Sequence, residues 1–175
     1  MTWLDQVGNL LKQYTSGGAA AAPAPDVHAH FDQVAGAAPP GTIAEGLAAA
    51  FRSDQTPAFG QMLSTLFTNS NGEQKAGLLN QLMGSVNPAT LTQVLGGAGL
   101  SGLLAGGATK LTPDQAQKIT PDVVQQLAGH AEKSNSSIID SVSNFYAQHP
   151  QLVKTLGGAA LTVALAKVAQ RQQQK

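Results

Sequence analysis

Four histidines, ten acidic residues and one glycine pattern are the places where this sequence could do chemistry. The densest cluster is "DVHAHFD", with Asp26, His28, His30 and Asp32. Imidazoles beside carboxylates are metal-ligand types. Spacing decides how they can act. On a helix, His28 and His30 point apart, and Asp26–His30 and His28–Asp32 are ordinary i, i+4 pairs. Only a strand would place both imidazoles on one side. There is no Cys and no H-E-x-x-H, so thiolate chemistry and the zinc-peptidase motif are absent from this sequence. A solvated polar face is the reading taken for this cluster. A metal-dependent enzyme, with His28, His30 or His149 meeting acids, is the remaining catalytic alternative. His149 precedes Pro150 and is expected in a turn between two helices.

The glycine pattern lies in "VLGGAGLSGLLAGGATK", Val94 to Lys110, where Gly97, Gly99 and Gly102 satisfy G-x-G-x-x-G. A dinucleotide fingerprint needs a strand before the glycines and an acid about twenty residues on. Here Asn87-Pro88 and a short helix-like segment precede them, and Asp114 and Asp122 sit at helix starts. No Walker Lys follows, and Ser101 misses G-x-S-x-G at its last position. "VLGGAGLSGLLA" also aligns without gaps on "TLGGAALTVALA", residues 155–166, which keeps Leu, Gly-Gly, Ala and Leu but loses the phosphate pattern. Gly, Ala and Ser at spacings of three and four let helix backbones approach closely. Gly96, Gly97, Gly157 and Gly158 are therefore the candidate packing or interaction residues. The glycines also weaken a helix, so the first copy is expected to be kinked or partly loop.

What could position these residues is a set of short helices. Thr56-Pro57, Asn87-Pro88, Thr112-Pro113 and Thr120-Pro121 each pair a capping residue with Pro at the first helical position. Capping-box spacing appears at Thr42–Glu45 and at Thr2–Asp5. Apolar residues follow at helical spacing: Phe59, Met62, Leu63, Leu66 and Phe67; Val123, Val124, Leu127, Ala128 and Ala131; Ile138, Ile139, Val142, Phe145 and Tyr146. No period-two alternation appears. Lys110–Gln117 and Lys118–Gln125 repeat K-[LI]-T-P-D-x-x-Q, which limits the first of two helices to about two turns.

At the N-terminus, Trp3, Leu4, Val7, Leu10, Leu11 and Tyr14 form another stripe. Residues 16–26 are rich in Ala, Gly and Pro without periodicity, and read as a flexible linker. The organisation expected is an amphipathic helix over 1–15, a linker over 16–26 and an all-helical domain over 27–175. Trp3, Leu4, Val7 and Leu11 join the glycines as candidate interaction residues.

Composition bounds the partners. Charged residues are 11% of the chain, against about 25% in ordinary domains, and the net charge is zero. Nucleic-acid binding lacks a basic stripe, and a nearly uncharged surface favours self-association. The N-terminus has no basic n-region or long apolar h-region, so a cytoplasmic location is expected. Residues 76–109 carry no charge, but polar residues and Pro88 interrupt them, and the apolar run is short of the ~18–20 residues a membrane span needs. Lys154, Lys167, Arg171 and Lys175 leave the C-terminal region basic, which keeps a weak membrane-surface association open.

"MTWLDQVGNLL" and "LTPDQAQKITPDVVQQLAGHAEKSNSSIIDSVSNFYAQHP" resemble the opening and the helical C-terminal part of YidB-like bacterial proteins. The likeness covers under half of the chain and departs in the middle section and in "QLVKTLGGAALTVALAKVAQ". It implies a small bacterial all-helical protein and supplies no catalytic residues. The sequence as a whole predicts an all-α bundle of about eight to ten short helices. No catalytic, cofactor or metal residue and no small-molecule substrate is assigned. A non-enzymatic, self-associating protein is the expectation, with a peripheral lipid-associating protein as the alternative.

Overall fold

The computed structural model describes residues 3–16, 26–103, 105 and 110–174; for residues 3, 4, 6, 13, 15, 16 and 172 it describes the backbone alone. Among these residues the protein is an all-α bundle without strands, and nine helices have seven or more residues. In order they are α1 (Trp3–Ser16), α2 (Val27–Ala37), α3 (Pro40–Phe51), α4 (Phe59–Asn69), α5 (Gly72–Ser85), α6 (Pro88–Gly97), α7 (Pro113–Ala116), α8 (Pro121–Ser134), α9 (Ser137–Ala147), α10 (Pro150–Val153) and α11 (Gly158–Gln173). Short 3₁₀ turns occupy Ser101–Leu103 and Lys154–Leu156.

Side-chain caps explain the starts of α5, α6 and α7. Asn87 and Thr112 accept hydrogen bonds from the backbone N–H three residues on, at 2.8 and 3.3 Å. Thr112 completes a capping box with Gln115, and α7 then lasts one turn rather than two. Thr120 begins α8 without a side-chain cap, although its sequence context copies that of Thr112. Asn71 and Gln74 form a further capping box at α5.

Two expected starts shift. The Thr42–Glu45 box is not made, because α3 already begins at Pro40 and Thr42 lies inside it. Pro39 precedes another Pro and takes an extended conformation (φ −58°, ψ 145°), which fixes the start there. At Thr56-Pro57 no helix begins. The Thr56 hydroxyl instead hydrogen-bonds the carbonyls of Ala50 and Ser53, at 2.5 and 3.0 Å, and ties off α3. The Thr2–Asp5 box reaches a residue outside the described ones.

The chain divides into two compact units, Met1–Ala58 with Ser143–Lys175, and Phe59–Val142. In the first, α11 packs against α3, α1 and α2. Residues 160–166 of α11 are all buried, as are Val168 and Ala169. A helix apolar nearly all round needs neighbours on several sides. A close approach lies at Gly46 of α3, where a Cβ would lie 2.7 Å from the Ala164 carbonyl oxygen and 3.0 Å from Val168 Cγ2. No side chain fits at Gly46 without moving the helices apart. Ion pairs Lys154–Asp32 (2.8 Å) and Arg171–Glu45 decorate the half-exposed rim; exposed pairs of this kind contribute up to about 1 kcal/mol each.

In the second unit, α8 packs against α4, α5 and α6, and α7 against α5. The expected stripes of α4 and α8 are buried throughout. Leu63, Leu66, Leu78, Leu79, Leu82 and Leu127 are wholly buried, and each such side chain contributes roughly 1.5–3 kcal/mol of transfer free energy. Gly60 of α4 repeats the close approach: a Cβ there would lie 2.8 Å from the Gln125 carbonyl oxygen on α8. Asn80 of α5 fixes the approach to α7 by hydrogen bonding Leu111 twice, accepting from its N–H at 2.7 Å and donating to its carbonyl at 3.2 Å.

Candidate interaction surface

The G-x-G-x-x-G segment is a helix terminator followed by an exposed turn. Leu91, Val94 and Leu95 are buried and hold α6 in place. The helix then stops because Gly99 adopts φ +73°, a conformation that L side chains adopt only at a cost. Leu100 N–H donates to the Leu95 carbonyl at 2.7 Å, and Gly99 N–H donates to that of Gly96 at 3.1 Å. That pair of bonds is the Schellman ending, which satisfies carbonyls a helix end would otherwise leave open.

Within the chain, Gly96 and Gly97 make no close helix contact. Both are exposed, and a Cβ on either would meet nothing within 4 Å. Gly157 also opens a turn, at φ +90°, with nothing within 4 Å of an added Cβ; Gly158 is the first residue of α11, and both are half-buried. The two aligned stretches therefore have different structures, one ending a helix and the other starting one. Ala160, Ala164 and Ala166 are buried small residues of the second. The glycines at tight helix crossings are Gly46 and Gly60, which lie outside any glycine-rich run.

From Gly96 to Leu103 the surface is uncharged. Gly96, Gly97, Ala98, Gly99, Ser101 and Gly102 are exposed, and Leu100 and Leu103 are half-buried. Alongside runs a groove of about 400 Å³ between α6 and α8, lined by Gln93, Val94, Gly97, Ala98, Gln126 and His130. It adjoins an open depression of about 610 Å³ along α8 that shares Gln126 and His130 and reaches Asp122 and Lys133. Amides, an imidazole and bare backbone can hydrogen-bond a partner's main chain. Asp122 in the first turn of α8 and Lys133 in its last match the helix dipole, a sufficient structural role.

The N-terminal candidates divide. Val7 and Leu11 are 2% and 3% exposed, and α1 packs on α11 and α2 within its own unit. The side chains of Trp3 and Leu4, and most of the expected linker (residues 17–25), lie outside what is described. The Tyr14 hydroxyl and His30 Nδ1 are hydrogen-bonded at 2.7 Å, with their rings edge to face. Burial raises the Tyr14 phenol above its ordinary pKa, and the Asp26 carboxylate adds to the effect.

The histidine cluster is dispersed by its helix. His28 is exposed, His30 turns to Tyr14, and Asp32 pairs with Lys154. His149 sits between α9 and α10, its ring 5.2 Å from that of Phe145. Among the described residues, no three His, Asp or Glu side chains gather as a metal site, and no helix is long and apolar enough to cross a membrane. No described protein family, curated protein or solved structure matches the chain.

Proposed function

We propose that this chain is a non-enzymatic interaction protein that self-associates, with the Gly96–Leu103 segment and the α6/α8 groove as its contact surface. The observation that carries the reading is the exposure of that segment. Six small residues lie open beside hydrogen-bonding side chains, and no charge lies between Lys75 and Lys110 to oppose a neutral partner. Small residues let a partner's backbone approach, and neutrality removes the repulsion that keeps copies apart. A cytoplasmic location and kinship with YidB-like proteins belong to the same reading.

The lipid-surface alternative has weaker support. Val7 and Leu11, which would enter a bilayer interface, are buried against protein, and Lys154 and Arg171 are paired with carboxylates.

Gly97→Lys is the discriminating variant. A cation in the last turn of α6 suits the helix dipole, so folding is retained, while a charge enters the groove. Sedimentation velocity is expected to show association shifted to at least tenfold higher concentration with an unchanged melting temperature. Association at the wild-type concentration would contradict the assignment of this surface.

A further inference from the structure

α8 turns one stripe inward and another outward. Val123, Val124, Leu127, Ala128 and Ala131 are buried, and α8 packs on α4, α5 and α6. Asp122, Gln126, Gly129 and Lys133 line the open depression on its other side. Three of these are exposed and Gly129 is half-buried. Their spacing is i, i+4, i+7 and i+11, the narrow seam that two paired helices share. At 3.6 residues per turn the four fall within about 60° of the helix circumference.

Two features of this seam go beyond what α8 needs for its own fold. Gly129 sits mid-helix, where glycine costs about 1 kcal/mol against Ala, yet a Cβ there would meet nothing within 4 Å. The close crossings that explain Gly46 and Gly60 do not explain Gly129. The helix dipole accounts for the signs of Asp122 and Lys133, but it acts on every face of a helix and does not set both on the seam.

Reversed end to end, the seam is its own complement. Antiparallel pairing about a two-fold axis sets Asp122 against Lys133 at both ends, and Gln126 against Gly129 on either side of the axis. A parallel pair would set like charge on like charge at both ends. Charge therefore selects the antiparallel arrangement.

We propose that a second copy of this chain docks antiparallel on α8, with Asp122 of each copy paired to Lys133 of the other. This inference rests on self-association as the function and names its geometry. Both copies use the same patch, as an isologous contact requires. Open space at Gly129 receives the longer Gln126 side chain of the second copy and lets the helix backbones approach.

Sedimentation velocity of full-length charge variants tests the pairing. Asp122→Lys makes both end contacts cation on cation, and Lys133→Asp makes both anion on anion. Each variant alone is expected to need at least tenfold higher concentration to associate. An equimolar mixture of the two restores opposite charges at both ends, and is expected to associate within threefold of the wild-type concentration. Mixing cannot repair a folding defect, so rescue reports the pairing itself. Either variant associating at the wild-type concentration, or a mixture no better than its parts, overturns the pairing and leaves self-association standing. Monomeric wild type overturns self-association, and the pairing with it. Thiols read the orientation, because the chain has no native Cys. Chains carrying Asp122→Cys mixed with chains carrying Lys133→Cys are expected to form a 122–133 disulfide between copies. Two 122 positions lie roughly 16 Å apart along the axis of the proposed pair, so a 122–122 disulfide overturns the orientation.

Discussion

Gly46 and Gly97 are the same residue type under opposite constraints. At Gly46 the neighbour is a backbone carbonyl that cannot swing aside, so Gly46→Ala forces α3 from α11 and is expected to cost about 1–3 kcal/mol. At Gly97 the space is open, and Gly97→Ala is expected to be neutral or to stabilise by up to about 1 kcal/mol through helix propensity. Chemical denaturation of the two variants checks the pair; equal losses would contradict the packing described. Sequence alone favours glycine runs as contact sites, whereas the tight crossings use single glycines whose partners, Ala164 and Gln125, lie far along the chain. Tyr14 adds a pH dependence. Below the ordinary phenol pKa of about 10 both folded and unfolded chains keep the proton. Above it the unfolded chain ionises first, so the stability tied to the folded phenol's raised pKa is lost as pH rises. The stability difference between wild type and Tyr14→Phe is expected to shrink from about pH 9 to pH 11; a constant difference would count against the burial of this phenol.

At the scale of elements, helix beginnings were legible because their chemistry is local. Asn87, Thr112 and the apolar stripes of α4 and α8 all act as their spacing implies. Where two local signals competed, the stronger backbone constraint won, as Pro39-Pro40 did over Thr42. The aligned glycine stretches show the limit of this reading. In α6 the buried Leu91, Val94 and Leu95 precede the glycines, so Gly99 ends the helix; in α11 the buried residues follow, so Gly157 begins it. Similar letters take opposite roles according to which side the apolar stripe lies. The two T-P-D copies give a sharper test. Thr112→Ala removes a capping box and is expected to cost about 1 kcal/mol. Thr120→Ala removes no side-chain cap and is expected to cost less than half of that. Equal costs in denaturant titrations would contradict the difference.

At the scale of the molecule, the all-α class follows from periodicity, but the division into units does not. The first unit joins Met1–Ala58 to Ser143–Lys175, and its central pairing of α3 with α11 closes over the entire second unit in sequence. No local signal encodes a partner so distant. The candidate surface was half legible for the same reason: Gly96 and Gly97 stand out in sequence, but Gln126 and His130, exposed residues of α8, join the groove only through packing of α8 on α6. The functional reading depends on whether copies of this neutral chain meet. Molar mass by light scattering across a concentration series of the wild-type chain tests it most directly. Self-association predicts a mass above the 17.9 kDa of one chain that rises with concentration. A mass fixed at 17.9 kDa throughout would contradict it.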